Sequence, residues 1–165
     1  MSDDGIDVYL NDHLAGATFG RDLARQIHEH TEGTPLGRLM GSLATEIDED
    51  RATLIELMER LGTSRNPVKQ ATTWIAEKAS RLKLSGLTAA EAGHGTFLAL
   101  ETLSLGVEGK TSLWNALKTV ADDYPALEHS ELDRLIERAS AQRGILERER
   151  IAAGREALRA DDASR

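Results

Sequence analysis

Carboxylates that interrupt apolar helical stripes are the side chains of this sequence best suited to chemistry. Asp50 lies within a run of apolar residues that recur at alternating steps of four and three over residues 36–61, a spacing that buries one face of a helix. Glu101 is the only charged residue within 96–107, where the other residues are apolar or small. A buried carboxylate loses its water, so it needs a cation, a hydrogen-bond donor or a metal.

Further candidate ligands lie at helical spacing from these two carboxylates. Glu46 precedes Asp50 by four residues and Glu108 follows Glu101 by seven, so each pair shares a helix face. His13 lies at the margin of an apolar face near the start of the chain. Because carboxylates and imidazole suit a hard cation such as Fe(II) or Mn(II), the candidate metal ligands are His13, Glu46, Asp50, Glu101 and Glu108. No catalytic residue and no organic cofactor is predicted.

The same residues admit a second interpretation, a structural polar network. In this interpretation Asp50, Glu101 and Glu108 pair with His13, Lys110 or an arginine such as Arg143. We favour the network over the metal site because buried charges are usually paired within the protein. A pocket for a small polar ligand is a third alternative.

The composition indicates which elements position these residues. A chain of 165 residues is long enough for one domain with its own core, and three prolines and few β-branched runs favour an all-α fold. A net charge of −8 argues against nucleic-acid binding, and the lack of cysteine excludes a disulfide framework. The acidic N-terminus and the absence of a long apolar run predict a cytoplasmic protein without a membrane span.

The hydrophobic periodicity predicts four long helices and an extra helix in one connection. The four cover about 6–30, 35–61, 88–125 and 130–158, with Gly106 and Gly109 as candidate positions for a kink or break in the third. The extra helix covers about 66–85. One domain at 1–160 and a frayed tail at 161–165 follow. A short first connection and a long second one are typical of a ferritin-like four-helix bundle.

The connecting helix carries a separate signal. Five basic residues and only one acidic residue, Glu77, lie between Arg65 and Lys83, with Trp74 among them. The basic region 65–83 is therefore a candidate surface for an acidic partner, an anionic lipid or RNA. The plainer alternative is a solvated helix that balances acidic neighbours. A homodimer through exposed helix faces is the other expected partnership.

Four segments carry a resemblance to a known group of proteins. They are YLNDHLAGATFG from Tyr9, EIDEDRATL from Glu46, WIAEKASRLKL from Trp74 and LETLSLGVEGKTSLWNAL from Leu100. Through them the chain resembles a family of uncharacterised bacterial ferritin-like proteins, and more distantly it is similar to stress-associated ferritin-like proteins with a di-iron centre. The first resemblance implies a ferritin-like fold without an established activity. The second implies iron ligands at Glu46, Asp50 and Glu101.

These observations predict a ferritin-like bundle that acts by binding or interaction, without catalysis, and that keeps a degenerate inward carboxylate site. The alternative is a carboxylate protein that binds two iron or manganese ions and oxidises Fe(II) with O₂.

Overall fold

A computed structural model describes residues 4–65 and 89–159, which form an all-α bundle of four long helices. The helices are α1 (Asp4–His30), α2 (Pro35–Arg60), α3 (Ala89–Thr119) and α4 (His129–Ala157), with a short 3₁₀ turn at Ala121–Asp123. The predicted all-α class is confirmed. Three predicted features lie outside the described residues. They are the extra helix at 66–85, the basic region apart from Arg65, and the tail at 161–165.

The connection between α1 and α2 ends one helix with a glycine and caps the next with a threonine. Gly33 adopts a φ of +80°, in the left-handed region that favours glycine. The hydroxyl oxygen of Thr34 then accepts a hydrogen bond from the Gly37 main-chain nitrogen at 3.0 Å, and Pro35 occupies the first turn of α2. This short turn makes α1 and α2 antiparallel neighbours.

Ion pairs between helices define the remaining directions. Pairs that join α2 to α4 are Arg60–Glu131 and Arg138–Glu49, and pairs that join α3 to α4 are Glu101–Arg150 and Lys118–Asp133. Residue numbers rise in one helix as they fall in the other, so α2 and α3 each run antiparallel to α4. Helices α2 and α3 are therefore parallel, and the end of α2 and the start of α3 lie at opposite ends of the bundle.

Helix α3 is continuous over 31 residues and does not break at Gly106 or Gly109. Each glycine inside a helix costs about 1 kcal/mol. The buried side chains of Leu103, Val107 and Trp114 lie on the same helix and offset that cost by packing into the core. Helix α3 is therefore uninterrupted at Gly106 and Gly109, which were the candidate positions for a kink or break.

Apolar side chains from all four helices fill one core, which includes the Asp50 stripe of α2. The stripe residues Met40, Leu43, Ile47, Leu54 and Leu57 are all buried, as the spacing predicted. None of the helices in the described ranges is both long enough and apolar enough to cross a membrane.

Candidate functional site

A buried cluster of charged and polar side chains lies at the centre of the bundle. Asp50 is only 3% exposed. Its Oδ2 atom accepts hydrogen bonds from Lys110 Nζ and from Gln142 Nε2, the latter at 3.1 Å, and its Oδ1 atom accepts one from Arg138 Nε at 2.8 Å. Together with Glu46, these residues form what we term the Asp50 network. Both oxygens of the buried carboxylate are therefore paired.

Gln142 and Arg138 extend the network to the edge of α2. Gln142 is fully buried at 0% exposure, and its Oε1 atom accepts a hydrogen bond from Lys110 Nζ while its Nε2 atom donates to Glu46 Oε2 at 3.1 Å. Arg138 also donates to the main-chain oxygen of Glu46 at 2.9 Å and to the Glu49 carboxylate at 3.1 Å. The two cations are thus matched by carboxylates, as charges that lose water require.

Helical spacing explains how these side chains meet. Glu46 and Asp50 are one turn apart on α2, and Arg138 and Gln142 are one turn apart on α4. Because α2 and α4 are antiparallel, Glu46 faces Gln142 while Asp50 faces Arg138. Lys110 reaches Asp50 from α3. The pairing of Asp50 with Lys110 is one that the network interpretation predicted.

The environment of Lys110 makes its charge dependent on Asp50. Burial lowers the pKa of Lys110 below its ordinary value, and the adjacent Asp50 carboxylate opposes that shift. The ammonium group is consequently a positioned donor whose charge is maintained mainly by Asp50, with a smaller contribution from Glu46.

The expectation that Glu101 and Glu108 project inward is wrong. Their side chains are 43% and 51% exposed, and they pair with Arg150 and Arg143 respectively, each at 3.1 Å. Arg143 was an expected partner. Both glutamates lie on the outward stripe of α3, which also holds the exposed leucines Leu98 and Leu105. These leucines make the outward stripe look apolar in the sequence, so the buried face cannot be told from the exposed one.

His13 lies on α1 and lines the same cavity as Asp50 and Lys110, but it makes none of the ion pairs of the Asp50 network. Its ring packs edge-on against Tyr9, with the ring centroids 4.5 Å apart. Burial lowers the pKa of His13, and the neighbouring Asp12 carboxylate partly opposes this shift. His13 is therefore best described as a neutral, half-buried ring at physiological pH.

This shift predicts a pH dependence of stability. Because the pKa of His13 in the folded state lies below its ordinary value of about 6.5, the unfolded chain binds more protons as the pH falls through that value. Acidification should therefore lower the free energy of unfolding more in the wild-type protein than in a His13→Gln variant. The free energy of unfolding of each protein is measured in urea at pH 8 and pH 5. The value for the wild type minus that for the variant should be larger at pH 8 than at pH 5. A difference between the two proteins that is constant across this range would contradict the assignment.

The residues of the Asp50 network do not fit a carboxylate-bound metal. Two cations, Lys110 and Arg138, occupy the oxygens of Asp50 that would bind the metal, and Gln142 lies between Asp50 and Glu46. Glu101 pairs with Arg150, which lies two helical turns, about 12 Å, along α4 from Gln142. Within the described ranges, no group of three or more His, Asp or Glu side chains could hold a metal ion. Metal binding at the five candidate residues stays a prediction, which the reconstitution experiment below tests.

A cavity of about 260 Å³ lies beside the network, between α1, α2 and α3. Asp50 and Lys110 contribute to one wall, while most of the lining is apolar. Trp114 lines the cavity at 1% exposure, and its Nε1–H donor has no hydrogen-bond partner among the described residues. Arg51 also lines the cavity, and its Nε atom donates to the hydroxyl of Thr18 at 2.9 Å. The cavity therefore combines apolar walls with several polar donors, the usual character of a small-molecule site.

Three residues of this site were not predicted as functional. Arg138 lies one turn before the inward Gln142, and that spacing could have identified it. Arg51 directly follows Asp50, and a long arginine side chain at the edge of an apolar stripe can turn towards the interior. Trp114 follows Lys110 by one turn, but an indole in an apolar stripe usually belongs to the core, so nothing in the sequence distinguished it from other core residues.

Comparison with known proteins adds no identification to this geometry. No protein-family model, no curated protein and no solved structure matches the chain.

Proposed function

We propose that this protein is a non-enzymatic small-molecule-binding bundle whose core carboxylate serves structure. The observation that supports this proposal best is the position of the cavity directly against the Asp50 network. Every oxygen of Asp50 is paired within the protein, so its carboxylate is not free to act as a base or nucleophile. The adjacent cavity offers space and unsatisfied donors, which suit binding.

We also propose a ferritin-like arrangement of the four helices. The parallel directions of α2 and α3, with the end of one and the start of the other at opposite ends of the bundle, agree with a single long crossover between the second and third helices. In this proposal, the place where ferritin-like proteins bind metal with inward carboxylates is held by Lys110, Arg138 and Gln142 instead.

Metal reconstitution separates this proposal from the alternative of an iron or manganese carboxylate protein. We expect the protein, prepared without a His-tag, to retain far less than one metal ion per chain after incubation with Fe(II) or Mn(II) and desalting. The physical reason is that a metal would have to displace two cations from Asp50. Near-stoichiometric metal by elemental analysis that is lost in Glu46→Gln would overturn this expectation and favour the metal protein.

The cavity itself is tested with a small neutral apolar probe. Toluene should shift the methyl resonances of cavity residues such as Leu54 and Leu113 in ¹³C NMR spectra, because an apolar cavity of comparable size binds benzene. Ala17→Leu fills the cavity and should abolish these shifts, whereas Ala141→Leu, the same change on the exposed face of α4, should leave them. Equal responses in the two variants, or a wild-type protein that binds neither toluene nor octanoate, octan-1-ol or octylamine, would contradict the proposed function.

A further inference from the structure

The size of the cavity limits what it can hold. A cavity of 150 Å³ accepts benzene, so the 260 Å³ here accommodates a ligand of on the order of ten non-hydrogen atoms. Most of the wall is apolar, formed by Ala17, Phe19, Ile47, Leu54, Leu103 and Leu113. The bulk of a ligand must therefore be an apolar group without many hydrogen-bonding atoms.

Three side chains that line the cavity carry hydrogen-bond donors without a full set of acceptors. Arg51 uses Nε for Thr18 and has no carboxylate partner among the described residues, which leaves its terminal nitrogens available. The Nε1–H group of Trp114 is unpaired within the same ranges, but the atom is itself buried and does not border the open space. An ammonium group has three N–H donors, and Lys110 directs bonds to Asp50 and Gln142, so one donor remains.

The carboxylates in the wall do not balance the positive charge of these donors. Asp50 lines the cavity, but both its oxygens already accept hydrogen bonds, including one from Arg138. Asp12 is exposed, so water solvates its carboxylate. The positive charge of Arg51 thus has no counterpart in the described parts of the protein, and a buried or half-buried arginine is the side chain best suited to a planar carboxylate.

We propose that the cavity binds a small monocarboxylic acid with an apolar tail, whose carboxylate is held by Arg51 with Lys110 and whose tail fills the apolar part. This inference rests on the proposed binding function, since it names the ligand class for the same cavity. An amine of the same shape would meet two cations and an uncharged alcohol would leave Arg51 unmatched. The carboxylate form is therefore the preferred one.

Matched ligands test this preference. Octanoate has about ten non-hydrogen atoms, the size that the cavity accommodates, and octan-1-ol and octylamine share its tail. By isothermal titration calorimetry, octanoate should bind the wild-type protein about tenfold more tightly than octan-1-ol, with octylamine weakest. In a Trp74→Phe protein, Trp114 is the only remaining tryptophan, so octanoate should also change the intrinsic fluorescence.

One variant removes the anion-binding group and keeps the cavity. Arg51→Gln should weaken octanoate binding by about tenfold and leave octan-1-ol binding nearly unchanged, which also shows that the variant is folded. Arg38→Gln on the exposed face of the same helix is the matched control and should bind both ligands as wild type does.

The outcomes separate the two proposals. If toluene binds but octan-1-ol matches or exceeds octanoate, or if Arg51→Gln has no effect, the carboxylate inference fails and the binding function stands. If neither toluene nor any of the three eight-carbon ligands binds, both proposals fail. Stronger binding of octanoate that Arg51→Gln removes and Arg38→Gln preserves supports both.

Discussion

Replacing Asp50 with asparagine is expected to lower the free energy of unfolding by about 3–5 kcal/mol, because it leaves Lys110 and Arg138 without their shared anion. In a chain of this size the corresponding fall in Tm is about 10 °C. Chemical denaturation monitored by circular dichroism measures the first quantity and thermal melting the second.

The matched control is the same chemical change two residues away, on a different face of α2. Asp48→Asn removes a carboxylate that pairs with Arg25 at the surface at 2.7 Å, and it should cost less than about 1 kcal/mol. Equal losses in the two variants would show that the central carboxylate is no more important than a surface one.

A double variant tests the reason for the loss. Lys110→Met in the Asp50→Asn background removes the buried cation that has lost its salt-bridge partner and keeps most of the side-chain volume. It should therefore recover part of the lost stability, so the two changes are non-additive. Strict additivity would mean that Lys110 and Asp50 do not interact in solution.

The second large effect is expected at the turn between α1 and α2. A Cβ atom added to Gly37 would lie 2.1 Å from the main-chain oxygen of Thr31 and 2.7 Å from its carbonyl carbon. That oxygen also accepts hydrogen bonds from the nitrogen and hydroxyl of Thr34, so it cannot move without disturbing the cap of α2. Gly37→Ala should thus cost about 2–3 kcal/mol, although alanine is the better helix former.

Gly144 provides the control for this prediction. It lies on α4, where an added Cβ would meet only the flexible end of Arg148 at 3.9 Å. Gly144→Ala should accordingly stabilise the protein by about 0.5–1 kcal/mol, through helix propensity alone. If urea denaturation shows the two alanine variants shifting stability in the same direction, the close approach at Gly37 does not exist in solution.

The positions of the four helices and the burial of Asp50 were predictable from the sequence. The α2 stripe is unambiguous because every position on its outer face is polar or small, so the period identifies the buried side. The same reasoning failed for Glu101, since Leu98 and Leu105 place apolar residues on the exposed face of α3. The repeat of apolar residues identifies the buried face of a helix only where the two faces differ in polarity.

The partners of Asp50 and the cavity depend on information that a single helix does not contain. Arg138 is 88 residues from Asp50 along the chain, and their contact requires the relative rotation of two helices. The cavity has a subtler origin: small residues on α1, Gly16 and Gly20, face Gly106 and Gly109 of α3 across it. Glycines at about one-turn spacing on two helices are a usable signal for this space, although Gly106 and Gly109 are predicted only as positions for a kink or break and Gly16 and Gly20 are assigned no role.

The Asp50 network has a consequence for how the two halves of the chain align. Helices α1 and α2 form one hairpin and α3 and α4 form another, and the network lies where the hairpins meet. A slip of one hairpin by one helical turn, about 5.4 Å, would place Gly106 or Trp114 rather than Lys110 opposite Asp50. Such a slip would exchange one apolar contact for another along most of the interface, but it would leave several buried charges unpaired. The charged centre therefore selects a single register for packing surfaces that are otherwise tolerant of sliding.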